Sequence, residues 1–103
     1  MLNFALIEDD EKLLNHLSHM LDSIFLKHDF DAKVALMTSN VDLLLKNMNE
    51  QKIDVLLIGL DLKSKLTGLE IAEKVRKLNK DCYLIFETSH IEYALMAYKY
   101  KTF

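Results

Sequence analysis

The chain has 103 residues, no proline, two glycines and one cysteine, with half its residues apolar and 28% charged. That length and balance fit one small globular domain, and a lone cysteine excludes a disulfide-stapled scaffold. A net charge of −3 argues against a broad nucleic-acid face, and no apolar run approaches the roughly 18 residues of a membrane span.

The first residues, MLNFALIEDD, turn acidic by residue 8 and do not read as a signal peptide, so a cytoplasmic protein is expected. Asn3 to Ile7 is an apolar run too short for a helix and predicts a buried strand. From residue 10 to 28 the period changes. Leu13, Leu14, Leu17, Leu21, Ile24 and Phe25 recur every three or four residues, the stripe of an amphipathic helix. The acids before it suit the positive end of a helix dipole.

Ala32 to Met37 predicts a second strand. Thr38, Ser39 and Asn40 supply capping groups for a helix over VDLLLKNMNEQ, with Val41, Leu44, Leu45 and Met48 inward. Ile53 to Leu60 is almost wholly apolar, as a strand covered on both faces must be. The loop DLKSKLT leads to Gly68 and a helix with Leu69, Ala72, Val75 and Leu78 inward. Cys82 to Phe86 predicts a fourth strand, and His90 to about Tyr100 a last helix.

The order βαβαβαβα implies right-handed crossovers and a doubly wound parallel sheet, with strands one and three central. It falls one strand and one helix short of a five-unit sandwich, so a fragment of a longer protein is expected. Lys12, Lys27, Lys33, Lys46, Lys74, Arg76 and Lys77 are read as solvated faces.

Ligands of an open α/β sheet bind beyond the carboxyl ends of the strands. Glu8, Asp9 and Asp10 come after the first strand, Gly59, Leu60 and Asp61 lie at the end of the third, and Glu87, Thr88, Ser89 and His90 come after the fourth. Clustered carboxylates invite a hard cation such as Mg²⁺, and neighbouring hydroxyls suit an oxyanion.

These positions resemble the receiver domain of two-component response regulators over the whole length of the chain. LIEDD resembles the first-strand acidic motif, LIGLDLKSKLTGLEIAEKVRK the third strand with its loop and helix, and IFETSH the fourth strand. The spacing is most similar to accessory-gene-regulator types, whose receivers precede a LytTR DNA-binding domain. The resemblance implies a flavodoxin-like fold and a phosphorylation switch served by a sensor histidine kinase and Mg²⁺. It implies that Glu8 and Asp9 are the metal-binding acidic pair. Asp61 would be the carbonyl donor to the metal, and Thr88, with Ser89 beside it, would grip phosphoryl oxygens. Tyr98 or Tyr100 would be the aromatic that rearranges. DNA would be met only through a domain outside this chain.

One departure matters. The position matching the phosphoacceptor Asp is Gly59, which can neither form an acyl phosphate nor give Mg²⁺ a carboxylate. The matching Lys would lie beyond Phe103. No phosphorylation at residue 59 and weakened Mg²⁺ binding are therefore expected. The glycine is either a natural variant or an introduced substitution. A shifted register would instead make Asp61 the nucleophile, but would shorten the spacing to Gly68 below the subfamily's.

His16 and His19 are three apart, but no further ligand joins them. Cys82 is read as a small core residue, and His90 as local capping. Ile91, Tyr93, Ala94, Tyr98 and Tyr100 exceed one buried stripe, so this helix is read either as a homodimer or partner surface or as ordinary amphipathic packing. Two function classes stand above the rest. One is a non-enzymatic receiver controlling an attached transcription domain; the other is a stand-alone pseudo-receiver that binds partners without phosphate. A metal-dependent hydrolase using Glu8, Asp9 and Asp61 is the least favoured.

Overall fold

Strand β1 (Leu2–Ile7) is flanked on one side by β2 (Ala32–Thr38) and on the other by β3 (Val55–Ile58), which in turn pairs with β4 (Tyr83–Phe86). The computed structural model describes residues 1–59, 68–86 and 95. All the pairings are parallel, in the order β2-β1-β3-β4. Strands one and three are therefore the inner pair, as their lack of polar alternation predicts. The β1–β2 register shifts between Phe4 and Ala5, so Phe4 pairs with Val34 and Ala5 with Leu36.

Alternation along these strands divides the core into two layers. Phe4, Leu6, Val55, Leu57 and Ile85 pack with Leu14, Leu17, Leu21, Ile24 and Phe25 of helix α1 (Glu11–Lys27). Ala5, Ile7, Leu56 and Ile58 face the other way. They meet Leu44 and Met48 of α2 (Val41–Glu50) and Ile71 and Val75 of α3 (Gly68–Leu78). Helices on both faces make the sheet doubly wound. Burial of each large side chain contributes roughly 1.5–3 kcal/mol, and Phe4 and Phe25 add a tilted ring contact at 4.7 Å.

The helix ends reflect local chemistry. Asp10 caps α1, its Oδ1 accepting from Lys12 N at 3.0 Å and Leu13 N at 3.3 Å. Asn40 caps α2 by accepting from Leu43 N at 3.1 Å, and Thr38 Oγ1 accepts from Asn40 N at 3.0 Å. After α1 the chain reverses through Asp29, whose φ of 55° lies in the left-handed region that Asp tolerates better than most residues.

Several boundaries differ from the sequence expectation. β3 is ladder-paired over Val55–Ile58, shorter than the apolar run. Ile53 is buried but lies before the strand, and Leu60 is outside the described residues. The inward stripe of α3 runs through Gly68, Ile71 and Val75, while Leu69 is 66% and Leu78 46% exposed. Both stripes have helical spacing. The close seating of Gly68 on the sheet selects the one in phase with it. Cys82 is a buried core residue as expected, but it precedes β4 rather than opening it. The expected last helix lies outside the described residues except for Leu95, which is fully buried in the α1 layer. The lysines and the arginine read as solvated are exposed.

Candidate functional site

The carboxyl ends of β1 and β3 lie side by side. Ile7 pairs with Ile58, and Gly59 N donates to Ile7 O at 2.9 Å, which carries the ladder one residue past both strands. On the other flank Glu8 N donates to Thr38 O at 3.1 Å. Glu8 and Gly59 are thereby neighbours across the inner strand pair.

The Glu8 side chain does not reach for solvent. It is only 6% exposed, the one charged residue in the buried set of the described residues. Its Oε1 accepts from Asp10 N at 3.2 Å. Its Oε2 is buried and has no hydrogen-bond partner among the described residues. A Cβ built on Gly59 would overlap that Oε2 and approach the Glu8 Cδ to 3.0 Å. The carboxylate thus lies in the room that any side chain at residue 59 would need. An unpartnered buried carboxylate oxygen is costly, and it suits a hard cation, which takes oxygen ligands.

Asp9 is half-buried next in the chain, and Asp10 is committed to capping α1. The structure therefore divides the acidic triplet between the site and a helix end. Gly59 and Gly68 also meet. A Cβ on Gly68 would come within 3.1 Å of the Gly59 carbonyl oxygen and 3.3 Å of Ile58 Cγ2. Neither glycine has a positive φ, so close approach is what each serves. This seats the start of α3 on the end of β3, a contact that the sequence signals only by its scarcity of glycine.

Asp61, Thr88 and Ser89 lie outside the described residues, as do the hydroxyl-rich segment after β4 and the tyrosines expected on the last helix. His16 and His19 are exposed on α1, and among the described residues no group of three or more His, Cys, Asp or Glu side chains could hold a metal ion. Among the same residues no helix is long and apolar enough to cross a membrane.

Residues 4–102 match the family model described as the response regulator receiver domain. This chain is a receiver domain. It is 34% identical over 96 residues to the sensory transduction protein LytT of Enterococcus faecalis, an alignment covering 92% of the receiver and 37% of that relative. The receiver thus spans well under half of the curated relative it matches. Its fold is similar to the response regulator TrrA of Thermotoga maritima in complex with Mg²⁺-BeF, at a TM-score of 0.68 and 20% identity, covering 95% of this chain and 80% of that one. A second similar structure, TrrA in complex with the histidine kinase ThkA, has a TM-score of 0.68 and 20% identity, covering 87% of this chain and 71% of the other. The flavodoxin-like parallel sheet expected from the sequence is therefore the fold of this family.

Proposed function

We propose that this receiver is the regulatory domain of a LytTR-type response regulator and that it signals without an acyl phosphate at residue 59. The observation that carries this reading is Gly59 at the end of β3, with the Glu8 carboxylate lying where its side chain would be. An acyl phosphate needs a carboxylate to attack phosphorus, and a glycine offers none. Output then comes from contacts of the receiver surface with a sensor histidine kinase, with a second copy through the last helix, or with an attached DNA-binding domain. The likeness to LytT supports the attached domain, and the kinase complex of TrrA supports a kinase as a partner class.

Glu8 and Asp9 fit the oxygen donors of a divalent cation, and Asp61 adds its carbonyl in the family register. When bound, Mg²⁺ supplies positive charge that offsets the repulsion between these acids and any phosphoryl group. Without a carboxylate at residue 59 the affinity is lower than in a receiver that carries one. Thr88 and Ser89 are assigned to oxyanion contact by the same register.

The test is intact-mass spectrometry after incubation with acetyl phosphate and Mg²⁺. An unchanged mass is expected. A stoichiometric phosphate adduct would overturn the reading and would point to Asp61 as nucleophile.

A further inference from the structure

We propose that the far end of α3 is a docking groove for an acidic, amphipathic segment of a partner protein, whose carboxylates meet Arg76, Lys77 and Lys80. The groove is independent of Gly59 and of the chemistry at the carboxyl ends of the strands. α3 starts against Gly59, and its helical rise puts Leu78 about 15 Å from that end.

Residues 73–80 carry four cations and one acid, in a chain whose net charge is −3. Glu73, Arg76 and Lys77 have the spacing of one helix face, and Lys80 continues it past the end of α3. Together they line an open groove of about 700 Å³.

Two features separate this groove from a merely solvated face. Arg76 is held in place: its Nη1 donates to Lys80 O at 2.7 Å and to Cys82 O at 2.8 Å, which ties the guanidinium to the turn into β4. Both bonds use Nη1, so the other N–H groups of the fork are set for an anion with little further loss of side-chain freedom. In addition, among the described residues no acid lies within ion-pair distance of Lys77 or Lys80. The helix dipole accounts for Arg76 and Lys77 in the last turn of α3. It does not account for Lys80, which lies beyond the helix and joins them at the groove.

Charge complementarity names the occupant. The walls are mostly carbon, as expected where the aliphatic stems of Arg and Lys lie along a surface and their heads reach water. Such a surface suits a segment that offers carboxylates and apolar side chains together. Glu73, at the other end of the face, can pair with a basic group of a peptide. A uniformly anionic phosphodiester backbone offers no such group, so a peptide is favoured over nucleic acid.

The experiment is fluorescence anisotropy of a short labelled peptide of glutamate and leucine pairs with one terminal lysine. It is titrated with the wild-type chain, the groove variant Lys77→Glu/Lys80→Glu and the control variant Lys33→Glu/Lys46→Glu. All four lysines are exposed, and the two variants change the total charge equally. The expected result is sub-millimolar binding to the wild type, a loss of about tenfold or more in the groove variant and little change in the control. Equal losses in the two variants would overturn the proposal, since attraction would then follow total charge and not the groove. Absence of binding to the wild type would also overturn it. So would a short DNA duplex that binds more tightly than the peptide and is weakened in the groove variant.

Discussion

The Glu8 carboxylate fills the place that a side chain on Gly59 would take: adding a Cβ to the glycine brings it into overlap with Glu8 Oε2. Two residues 51 positions apart in the chain are thus sterically coupled at the end of the inner strand pair. The parallel ladder between β1 and β3 holds them there, because Gly59 N is bonded to the carbonyl of the residue just before Glu8.

That coupling sets the outcome of placing an acid at residue 59. Gly59→Asp inserts a second carboxylate into a place already filled, combining overpacking with like-charge repulsion. We expect a destabilisation of about 1–3 kcal/mol. Adding Glu8→Asp withdraws the first carboxylate by one methylene and is expected to recover about half of the loss. Urea midpoints of the wild type, both single variants and the double variant measure this. Additive effects of the two substitutions would contradict it.

Gly68 offers a sharper steric case, because what its Cβ would meet is backbone. The Gly59 carbonyl at 3.1 Å belongs to the end of an inner strand and cannot swing aside as a carboxylate can. Gly68→Ala therefore costs about 1 kcal/mol or more despite the better helix propensity of Ala. Thermal unfolding should show a midpoint lower by about 4–8 °C.

Asp10 reaches the site by way of a helix cap. Asp10→Ala removes the side-chain acceptor for Lys12 N and Leu13 N and should cost about 1 kcal/mol. The backbone N–H that holds Glu8 Oε1 survives the substitution. Cation affinity is therefore expected to fall far less in Asp10→Ala than in Glu8→Gln, and parallel titrations with Mg²⁺ compare the two.

Cys82 is buried before β4, and burial raises its thiol from 9.0 to about 11, with Arg76 opposing the shift. A group whose pKa is higher in the folded state stabilises the fold fully below its unfolded value. That contribution is lost as pH rises through the folded one. Stability should therefore decline between about pH 9 and 11, and Cys82→Ala should flatten the decline. Urea midpoints across that range report it. At pH 8 the native thiol should resist alkylation, since the thiolate is the nucleophile.

The alternating elements were legible because their periods are distinct. The α1 stripe from Leu14 to Phe25 and the apolar run of β3 each have one sensible reading, and together they set the doubly wound sheet. The phase of α3 was harder to read. Leu69, Ala72, Val75 and Leu78 satisfy helical spacing as well as Gly68, Ile71 and Val75 do, and only the contact of Gly68 with β3 separates them. That Glu8 and Gly59 are neighbours was readable from their places after strand ends. Their competition for one space was not, because strand order can be inferred from a sequence but the way a flexible carboxylate arm folds cannot. The division of the acids had a readable cue: Asp10 stands just before the helical stripe, where capping residues are favoured.

The most direct measurement is the thermal midpoint of Gly59→Ala in two backgrounds, the wild type and Glu8→Ala. If the carboxylate fills the place of residue 59, the methyl group must displace the flexible end of Glu8, so its effect on the midpoint is less favourable beside Glu8 than in the Glu8→Ala background. In the Glu8→Ala background the same methyl group should cost little or nothing. An equal shift in the two backgrounds would contradict the account, since it would mean that Gly59 and Glu8 do not compete for one space.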